Sequence, residues 1–250
     1  GPRRMDLEGK VALITGGRRI GATVAVRLAG RGVDVSMSYS RSQEVTAAAA
    51  GAVRETGRRA LLTKADVSST DAVRHLVDTT AEQLGRLDIV INMASAYHRV
   101  DFDDLTEDVW SEPLAVDLGG AYHCSQAAVP HMRAMGGGHI VNFSDWAAAS
   151  GRPRYTGYVP YYVAKRAVIG LTEALALELA PDHILVNAIA PGPIVPPTDL
   201  DDGSIKEVER ATPLGRWGGA GEIASAIVGL LETDFVTGET IRVDGGRHVR

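Results

Sequence analysis

Short apolar runs alternate with longer segments of helical spacing along the chain. The runs cover residues 11–14, 33–37, 60–62, 87–91, 140–143, 184–189 and 240–243. Helical spacing of apolar residues marks the segments 22–29, 42–55, 71–84, 118–135, 158–179 and 221–231. Continuous apolar strands separated by helices are typical of a parallel sheet with both faces covered. The pattern predicts an α/β fold, a doubly wound parallel sheet of about seven strands with helices on both faces.

The composition indicates one large domain and a small-molecule function. With 250 residues, 45% of them hydrophobic, the chain can bury one sizeable core, and no linker-like stretch divides it. The net charge of -5 comes from interspersed charges, without the basic stripe that nucleic acid or an anionic membrane would require. Gly1 and Pro2, ahead of Met5, resemble a tag remnant. We therefore expect residues 1–4 to be such a remnant and residues 5–250 to form one domain.

Cysteine and histidine usage argues against a disulfide and a metal site. Cys124 is the only cysteine, and no stretch approaches the roughly 20 apolar residues that cross a bilayer. The histidines show no paired metal-ligand spacing. We expect a protein of the reducing cytoplasm, with no metal, no membrane and no nucleic acid partner.

A glycine-rich turn lies between the first predicted strand and the first predicted helix. It runs from Thr15 to Gly21. Such a turn directs backbone amides and a helix N-terminus at an anion, and a pyrophosphate is the natural ligand. Glycines also terminate ordinary strands, so the placement between strand and helix carries the argument. The cofactor contacts predicted here are Gly16, Arg18, Arg19, Ile20 and Gly21.

The end of the second predicted strand favours NADP(H) over NAD(H). An NAD enzyme presents an acid to the ribose at this point, whereas this chain has Tyr39, Ser40, Arg41 and Ser42. Arg41 and the hydroxyls suit a 2'-phosphate. Asp34 is the only nearby acid, and it lies at the beginning of the strand. The alternative is that Arg18 and Arg41 are ordinary solvated side chains.

Tyr161 and Lys165 form the candidate catalytic pair. Lysine occurs only at positions 10, 64, 165 and 206, so its use at position 165 stands out. Residues four apart share one helix face, so the phenol and the ammonium can act on one bound molecule. A bare pair of this spacing is also typical of an amphipathic helix whose tyrosine packs and whose lysine reaches solvent. The other motifs decide between the two interpretations.

Taken together, these motifs resemble the short-chain dehydrogenase/reductase family over almost the whole chain. The matches follow the family's order: Thr15 to Gly21, Asp66 and Val67, Asn92 to Ser95, Tyr161 and Lys165, Asn187 and Ala188, Pro191 and Gly192, and Val243 to Gly246. The resemblance implies a Rossmann-type fold and a nicotinamide cofactor. It also implies further cofactor contacts from Asp66, Val67, Asn92, Ala94, Lys165, Pro191 and Gly192.

Within the family, several motifs look most like the pteridine reductase branch. Asp145 stands where the family usually has Ser, and pteridine reductases have Asp. Tyr97 falls where that branch stacks an aromatic ring on its flat substrate. Trp146 is expected to be pocket wall or core rather than a chemical participant. The residues expected at the substrate are Ser95, Tyr97, Asp145, Trp146, Tyr155 and Tyr161.

Three departures from the family pattern are visible. The glycine turn is one residue shorter, and Arg19 replaces a middle glycine. Asp117 stands where the family has an Asn that holds a proton-relay water. The separation of Asp145 and Tyr161 is longer than usual because residues 151–157 are an insertion, which we expect to border the substrate site.

The resemblance implies a reduction in which Tyr161 donates the proton, Lys165 lowers the tyrosine pKa and holds the ribose, and Asp145 and Asp117 assist. The favoured interpretation is an NADPH-dependent reductase of a C=N or C=O bond in a flat heterocycle, pterin-like first. Asp145 would hydrogen-bond the substrate if ionised, or give it a proton if protonated. The alternatives are a carbonyl reductase of the beta-ketoacyl or secondary-metabolite type, and a non-catalytic NADP sensor. The helical segments 118–135 and 158–179 are expected to form the interfaces of a homotetramer.

Overall fold

In the computed structural model, which describes residues 5–41, 43–198 and 200–250, seven strands form one parallel sheet. The strands are β1 Val11–Gly16, β2 Asp34–Tyr39, β3 Ala60–Lys64, β4 Ile89–Met93, β5 Gly138–Phe143, β6 Ile184–Pro191 and β7 Thr240–Val243. Their order is β3-β2-β1-β4-β5-β6-β7, and all six pairings are parallel. The predicted doubly wound α/β sheet is confirmed. The expected tag remnant at residues 1–4 lies outside the described residues.

Helices cover both faces of this sheet. They are α1 Arg18–Ala29, α2 Gln43–Glu55, α3 Thr70–Leu84, α4 Glu107–Pro113, α5 Gly120–Ala134, α6 Trp146–Ala149, α7 Val159–Leu179, α8 Asp202–Ala211 and α9 Ala220–Leu231. Six of them match the predicted segments within a few residues. The prediction did not include α4, α6 and α8: α4 and α6 are short, and α8 is largely polar, with few apolar residues to mark it.

Two apolar clusters form the core, one on each face of the sheet. Helices α1, α2 and α9 pack on one face, and α3, α5 and α7 on the other. Neighbouring residues of one strand enter different clusters, as Leu13 and Ile14 do in β1, because successive side chains of a strand point to opposite faces. This explains why the strands read as continuous apolar runs.

The chain enters α5 through a π-helical segment, Leu114–Gly119. The predicted helix over 118–135 overlaps the end of this segment. A π-helical turn widens the backbone spiral and commonly occurs at functional sites. Here it lies close to α7 and carries Asp117, which is 3% exposed. The predicted helix over 118–135 is therefore corrected to a regular helix from Gly120, preceded by this wider turn.

No helix among the described residues combines the length and the apolar character needed to span a membrane.

Candidate active site

The turn between β1 and α1 forms an open cradle of main-chain groups. Gly16 and Gly17 adopt φ values of 63° and 78°, which favour glycine. A Cβ atom on Gly16 would lie 2.6 Å from Cα of Ala94 at the end of β4, so the close approach of the two loops also requires glycine. The N-cap residue of α1 is Gly17, which has no side chain to occupy the first amides. These features fit a diphosphate at the N-terminus of α1.

The other predicted residues of this turn contribute in different ways. Arg18 is exposed at the start of α1. Ile20 packs against the apolar cluster below the helix, which leaves only its main chain for a ligand. Gly21 is buried, and a Cβ there would lie 2.9 Å from the carbonyl oxygen of Gly16. Arg19 lies in α1, and its side chain is outside the described part of the structure.

The end of β2 presents Tyr39, Ser40 and Arg41 at the same sheet edge, while Ser42 lies outside the described residues. Asp34 is at the opposite end of β2, where Nε of Arg59 donates to it at 2.7 Å and Nε of Arg58 at 3.0 Å. Burial raises the pKa of Asp34, but the hydrogen bonds and charges of these two arginines outweigh it and hold the pKa below its usual value. Asp34 is thus a structural acid, remote from the cradle.

Asp66 and Val67 follow β3. Asp66 accepts hydrogen bonds from the main-chain N–H of Ser68 at 3.0 Å and from its hydroxyl at 2.7 Å. These bonds hold the pKa of Asp66 below its usual value, and the charge of Arg41 adds to the shift. The loops after β2 and β3 lie side by side because the two strands pair and the N–H of Ala65 donates to the carbonyl oxygen of Tyr39 at 3.0 Å. The Val67 side chain is buried against Gly120 of α5, where a Cβ would lie 2.8 Å from its Cγ2. Only the Val67 main chain is left for a cofactor.

Asn92 near the end of β4 is buried, and its side-chain amide has a hydrogen-bond partner for the nitrogen but none for the oxygen among the described residues. Its Nδ2 donates to Oδ1 of Asn142 on β5 at 2.9 Å. Its Oδ1 is buried and has no hydrogen-bond partner among the described residues. A buried acceptor without a donor is costly, so a ligand donor at this edge would be accommodated well.

Pro191 ends β6 and Gly192 follows it, at a position where packing requires glycine. A Cβ on Gly192 would lie 2.5 Å from Cβ of Asp244, and its N–H donates to the carbonyl oxygen of Val243 at 2.9 Å. This close approach holds the loop after β6 against the loop after β7. The predicted cofactor contact of Pro191 and Gly192 is left to their main chain and the proline ring.

Tyr161 and Lys165 lie on the first two turns of α7, facing the ends of β4 and β5. Lys165 is 3% exposed, and its Nζ lies 5.6 Å from the centre of the Tyr161 ring. The ammonium donates to the carbonyl oxygen of Phe143 at 2.8 Å and pairs with Oδ1 of Asp117 at 2.8 Å. An ammonium has three donors, so one remains for a ligand.

Asp117 connects Lys165 with the loop after β4. Its Oδ1 also accepts from the Ser95 hydroxyl at 2.6 Å, and its Oδ2 accepts from the main-chain N–H of Ala96 at 2.8 Å. Ser95, expected at the substrate, is therefore held by Asp117. Both carboxylate oxygens have partners, which is the condition for a buried charge.

Asp145 caps α6 and faces Tyr161. Its Oδ1 accepts from the main-chain N–H of Ala147 at 2.8 Å, and the Tyr161 hydroxyl lies 3.4 Å from its Oδ2. Burial raises the pKa of Asp145 against the lowering effect of the cap and Lys165. Burial and the carboxylates of Asp145 and Asp117 raise the pKa of Tyr161 well above its usual value. The phenol is therefore protonated at neutral pH in the state described.

Aromatic rings form the wall above Tyr161. The Tyr97 ring, 55% exposed, stacks on Tyr158 at 4.8 Å between centroids and contacts Tyr161 edge-on at 4.8 Å. The wall continues through Tyr155 to Trp146. Trp146 is 6% exposed, so it is both core and wall. Tyr158 was not among the predicted site residues; it is the N-cap residue of α7 and lies three residues before Tyr161.

Within residues 5–41, 43–198 and 200–250, no group of three or more His, Cys, Asp or Glu side chains could hold a metal ion. The arrangement around Tyr161 instead combines a protonated phenol, a buried ammonium with one open donor, and a carboxyl group of raised pKa. Such a set can deliver one proton to a bound heteroatom.

Comparison with known proteins identifies the family. A family model described as "Enoyl-(Acyl carrier protein) reductase" matches residues 16–248. The chain is 38% identical to the short-chain reductase protein NovJ of Streptomyces niveus, over 95% of this chain and 93% of that protein. It is 33% identical to the 3-oxoacyl-[acyl-carrier-protein] reductase FabG of Staphylococcus aureus, over 96% of this chain and 98% of that protein.

Solved structures agree with this similarity. A short-chain dehydrogenase/reductase from Serratia marcescens superposes with a TM-score of 0.90 at 32% identity, covering 98% of this chain and all of that one (100%). The acetoin dehydrogenase of Enterobacter cloacae superposes with a TM-score of 0.86 at 35% identity, covering 96% of each chain. The chain described here is therefore an oxidoreductase and belongs to the short-chain dehydrogenase/reductase family.

Proposed function

We propose that this protein is an NADPH-dependent reductase of a C=N or C=O bond in a flat, ring-containing substrate, with pterin-like molecules and cyclic imines first. The observation that carries the proposal is the facing pair of Tyr161 and Asp145, at 3.4 Å, beneath an aromatic wall. A carbonyl oxygen needs one proton donor. A ring with several nitrogens can use the second, carboxyl partner as well.

Tyr161 is the proposed general acid. Its raised pKa keeps the phenol protonated at neutral pH, so the proton is available when negative charge develops on the substrate heteroatom. Lys165, with its ammonium beneath the ring, stabilises the phenolate that is left behind. The remaining Lys165 donor suits a ribose hydroxyl. The bound nicotinamide cofactor supplies the hydride in this chemistry.

Asp145 is proposed to recognise the substrate. When ionised, it accepts from an amine or a ring N–H; when protonated, it donates to an imine nitrogen. Its raised pKa favours the protonated form more than in an ordinary aspartate. Asp117 is proposed as a positioning residue, since it holds Lys165 and Ser95 rather than facing the substrate.

NADP(H) is the proposed cofactor. Arg41 is exposed at the end of β2, beside Ser40, and Asp34 is held by arginines at the far end of the strand. A guanidinium and hydroxyls form charge-assisted hydrogen bonds with a phosphate, whereas no carboxylate of β2 is available at this edge for a ribose diol.

A carbonyl reductase of the beta-ketoacyl or secondary-metabolite type is the second candidate. Its support is the similarity over 96% of the chain to a protein named 3-oxoacyl-[acyl-carrier-protein] reductase. The two candidates share the Tyr161–Lys165 pair and the cofactor cradle. They differ in the use of Asp145.

A matched pair of substrates separates the candidates. 3,4-Dihydroisoquinoline and 1-tetralone share a fused bicyclic frame and differ in the reacting C=N or C=O bond. NADPH oxidation would be measured with both, and with dihydropteridine. Higher kcat/KM on the nitrogen compounds supports the first function. Turnover of the ketone alone supports the second, and no NADPH oxidation with any of the three would contradict both.

We also propose a homotetramer built through α5 and α7. Both helices carry partly exposed apolar side chains, Tyr122 on α5 and Val159, Val163 and Leu177 on α7. Light scattering coupled to size exclusion tests the assembly, and a monomer of 26.4 kDa would contradict it.

A further inference from the structure

A cationic cavity lies beside the aromatic wall, on the side away from the cofactor cradle. Its volume is about 700 Å³, and it is bounded by the inserted loop 151–157, by α8 and by the segment 247–250. Arg154, Arg210, Arg247 and Arg250 line it, together with one acid, Glu207. The four guanidinium groups outnumber the single side-chain carboxylate, so the lining favours negative charge.

Trp146 organises two of these arginines. Cζ of Arg154 lies 5.4 Å and Cζ of Arg247 lies 5.3 Å from the centre of the indole ring. Attraction between the cations and the ring holds the guanidiniums in place without using their N–H groups. Trp146 itself is buried and follows Asp145 directly, so the cation pair is tied to the candidate active site.

The hydrogen bonds of Arg247 go to neutral oxygens. Arg247 donates to the carbonyl oxygen of Val208 at 3.2 Å and to the Tyr155 hydroxyl at 3.3 Å. Arg154 donates through Nη2 to the main-chain oxygen of Arg250, the last residue of the chain described, at 3.2 Å. Its Nε is buried and has no acceptor in the described part of the chain. An unpartnered, buried N–H on a cation is the group that an oxyanion would satisfy.

A row of aromatic rings connects this cavity with the reacting residues. Tyr161 and Tyr158 lie 6.4 Å apart between centroids, Tyr158 and Tyr155 are also 6.4 Å apart, and Tyr155 and Trp146 are 6.3 Å apart. A molecule that reacts at Tyr161 and reaches the cavity would lie along this aromatic wall, which suits an apolar or aromatic middle.

We propose that Arg154 and Arg247, held on Trp146, bind an oxyanion of the substrate, a carboxylate or a phosphate, at the end remote from the reduced bond. This inference rests on the proposed function and adds the charge and shape of its substrate. Arg210 contributes to the positive potential, and a planar guanidinium group can form bidentate hydrogen bonds with an oxyanion.

The test measures binding without turnover. Isothermal titration calorimetry on the full chain compares 2-naphthoate, 2-naphthyl phosphate and the neutral 2-naphthamide, which share one aromatic frame. We expect at least one of the anions to bind about tenfold more tightly than the amide, as one charge-assisted interaction gives. The anion with the larger preference identifies carboxylate or phosphate as the natural group.

Variants locate the binding site. Arg154→Gln and Arg247→Gln should each remove most of the preference for the anion, whereas Arg74→Gln on α3, an exposed arginine far from the cavity, should retain it. In the parent protein, the preference should also fall as salt is raised. Equal binding of anions and amide by the parent would overturn the proposal, as would an unchanged preference in both cavity variants, with folding checked by circular dichroism. The calorimetry monitors binding and no reaction. A protein without the proposed reductase activity could therefore still show the preference for anions, and the two proposals can fail separately.

Discussion

The Lys165 ammonium lies 2.8 Å from the Asp117 carboxylate, and both side chains are shielded from solvent. The family resemblance implies that Lys165 lowers the pKa of the Tyr161 phenol. Lys165 is instead paired with Asp117, whose negative charge raises that pKa. Burial, Asp145 and Asp117 all raise the pKa of Tyr161. The site is therefore biased toward a protonated tyrosine, the form needed for reduction.

Asp117→Asn tests this bias. The amide keeps the size of the side chain and an acceptor for Ser95 or Ala96, but it removes one negative charge near Tyr161. The pKa of Tyr161 should fall, so the loss of reductase kcat/KM at alkaline pH should begin about one pH unit lower than in the parent. Asp108→Asn on α4 is the control. An alkaline limb at the same pH in parent and variant would contradict the role of Asp117.

Tyr161→Phe should reduce turnover by about a hundredfold or more, because the proton donor is lost. Cofactor affinity, measured by NADPH fluorescence, should change little. Tyr162→Phe is the matched control, since Tyr162 is the next residue on α7 but lies on a different face. Similar turnover in both variants would mean that another group is the acid.

Arg41→Ala should lower the preference for NADPH over NADH by about tenfold or more, because charge-assisted bonds to the 2'-phosphate are removed. The dissociation constants of both cofactors would be measured in parent and variant. Arg74→Ala should leave the ratio as it is. A parent protein that binds the two cofactors equally would refute the assignment.

Asp145→Ser separates recognition of the substrate from a structural role. Asp145 caps α6 through the Ala147 amide, and serine can form the same cap. The helix should therefore persist, while a pterin or cyclic imine loses its carboxyl partner. We expect kcat/KM to fall about ten- to a hundredfold on the imine and little on 1-tetralone. Parallel losses on both substrates would indicate a general structural role.

His139 on β5 should make the protein sensitive to acid. Burial lowers the pKa of its imidazole from 6.5 to about 4, so the unfolded chain takes up a proton in this range before the folded protein does. The free energy of unfolding should therefore fall as the pH drops from 6.5 to 4, by about 3 kcal/mol from this group alone. Urea unfolding at several pH values measures the slope.

His139→Asn should flatten that slope, whatever its effect on absolute stability. His183→Asn is the control, because His183 is exposed and its φ of 57° is one that asparagine tolerates. An unchanged slope in His139→Asn would assign the acid sensitivity to other groups.

The order of apolar and polar residues along the sequence determined the strands and several residues of the candidate site. Seven largely apolar runs defined the strands, because a sheet covered on both faces buries most of its side chains. The glycines at 16 and 21 and the spacing of four between Tyr161 and Lys165 likewise depend only on neighbouring residues. From the sequence alone, these features predict the cradle and the candidate acid at one sheet edge.

Contacts between distant segments were decided only by the tertiary structure. The bond of Lys165 to Asp117 depends on a π-helical turn whose position no periodicity indicated. Ile20, Val67 and Gly192 matched cofactor motifs, yet packing accounts for their residue types. The side chains of Ile20 and Val67 pack against neighbouring elements, and Gly192 lies too close to Asp244 for a side chain. Arg154 and Arg247 meet on Trp146 from the inserted loop and the C-terminal segment. Such meetings depend on the packing of the whole chain, because the residues involved are far apart in sequence and no local spacing relates them.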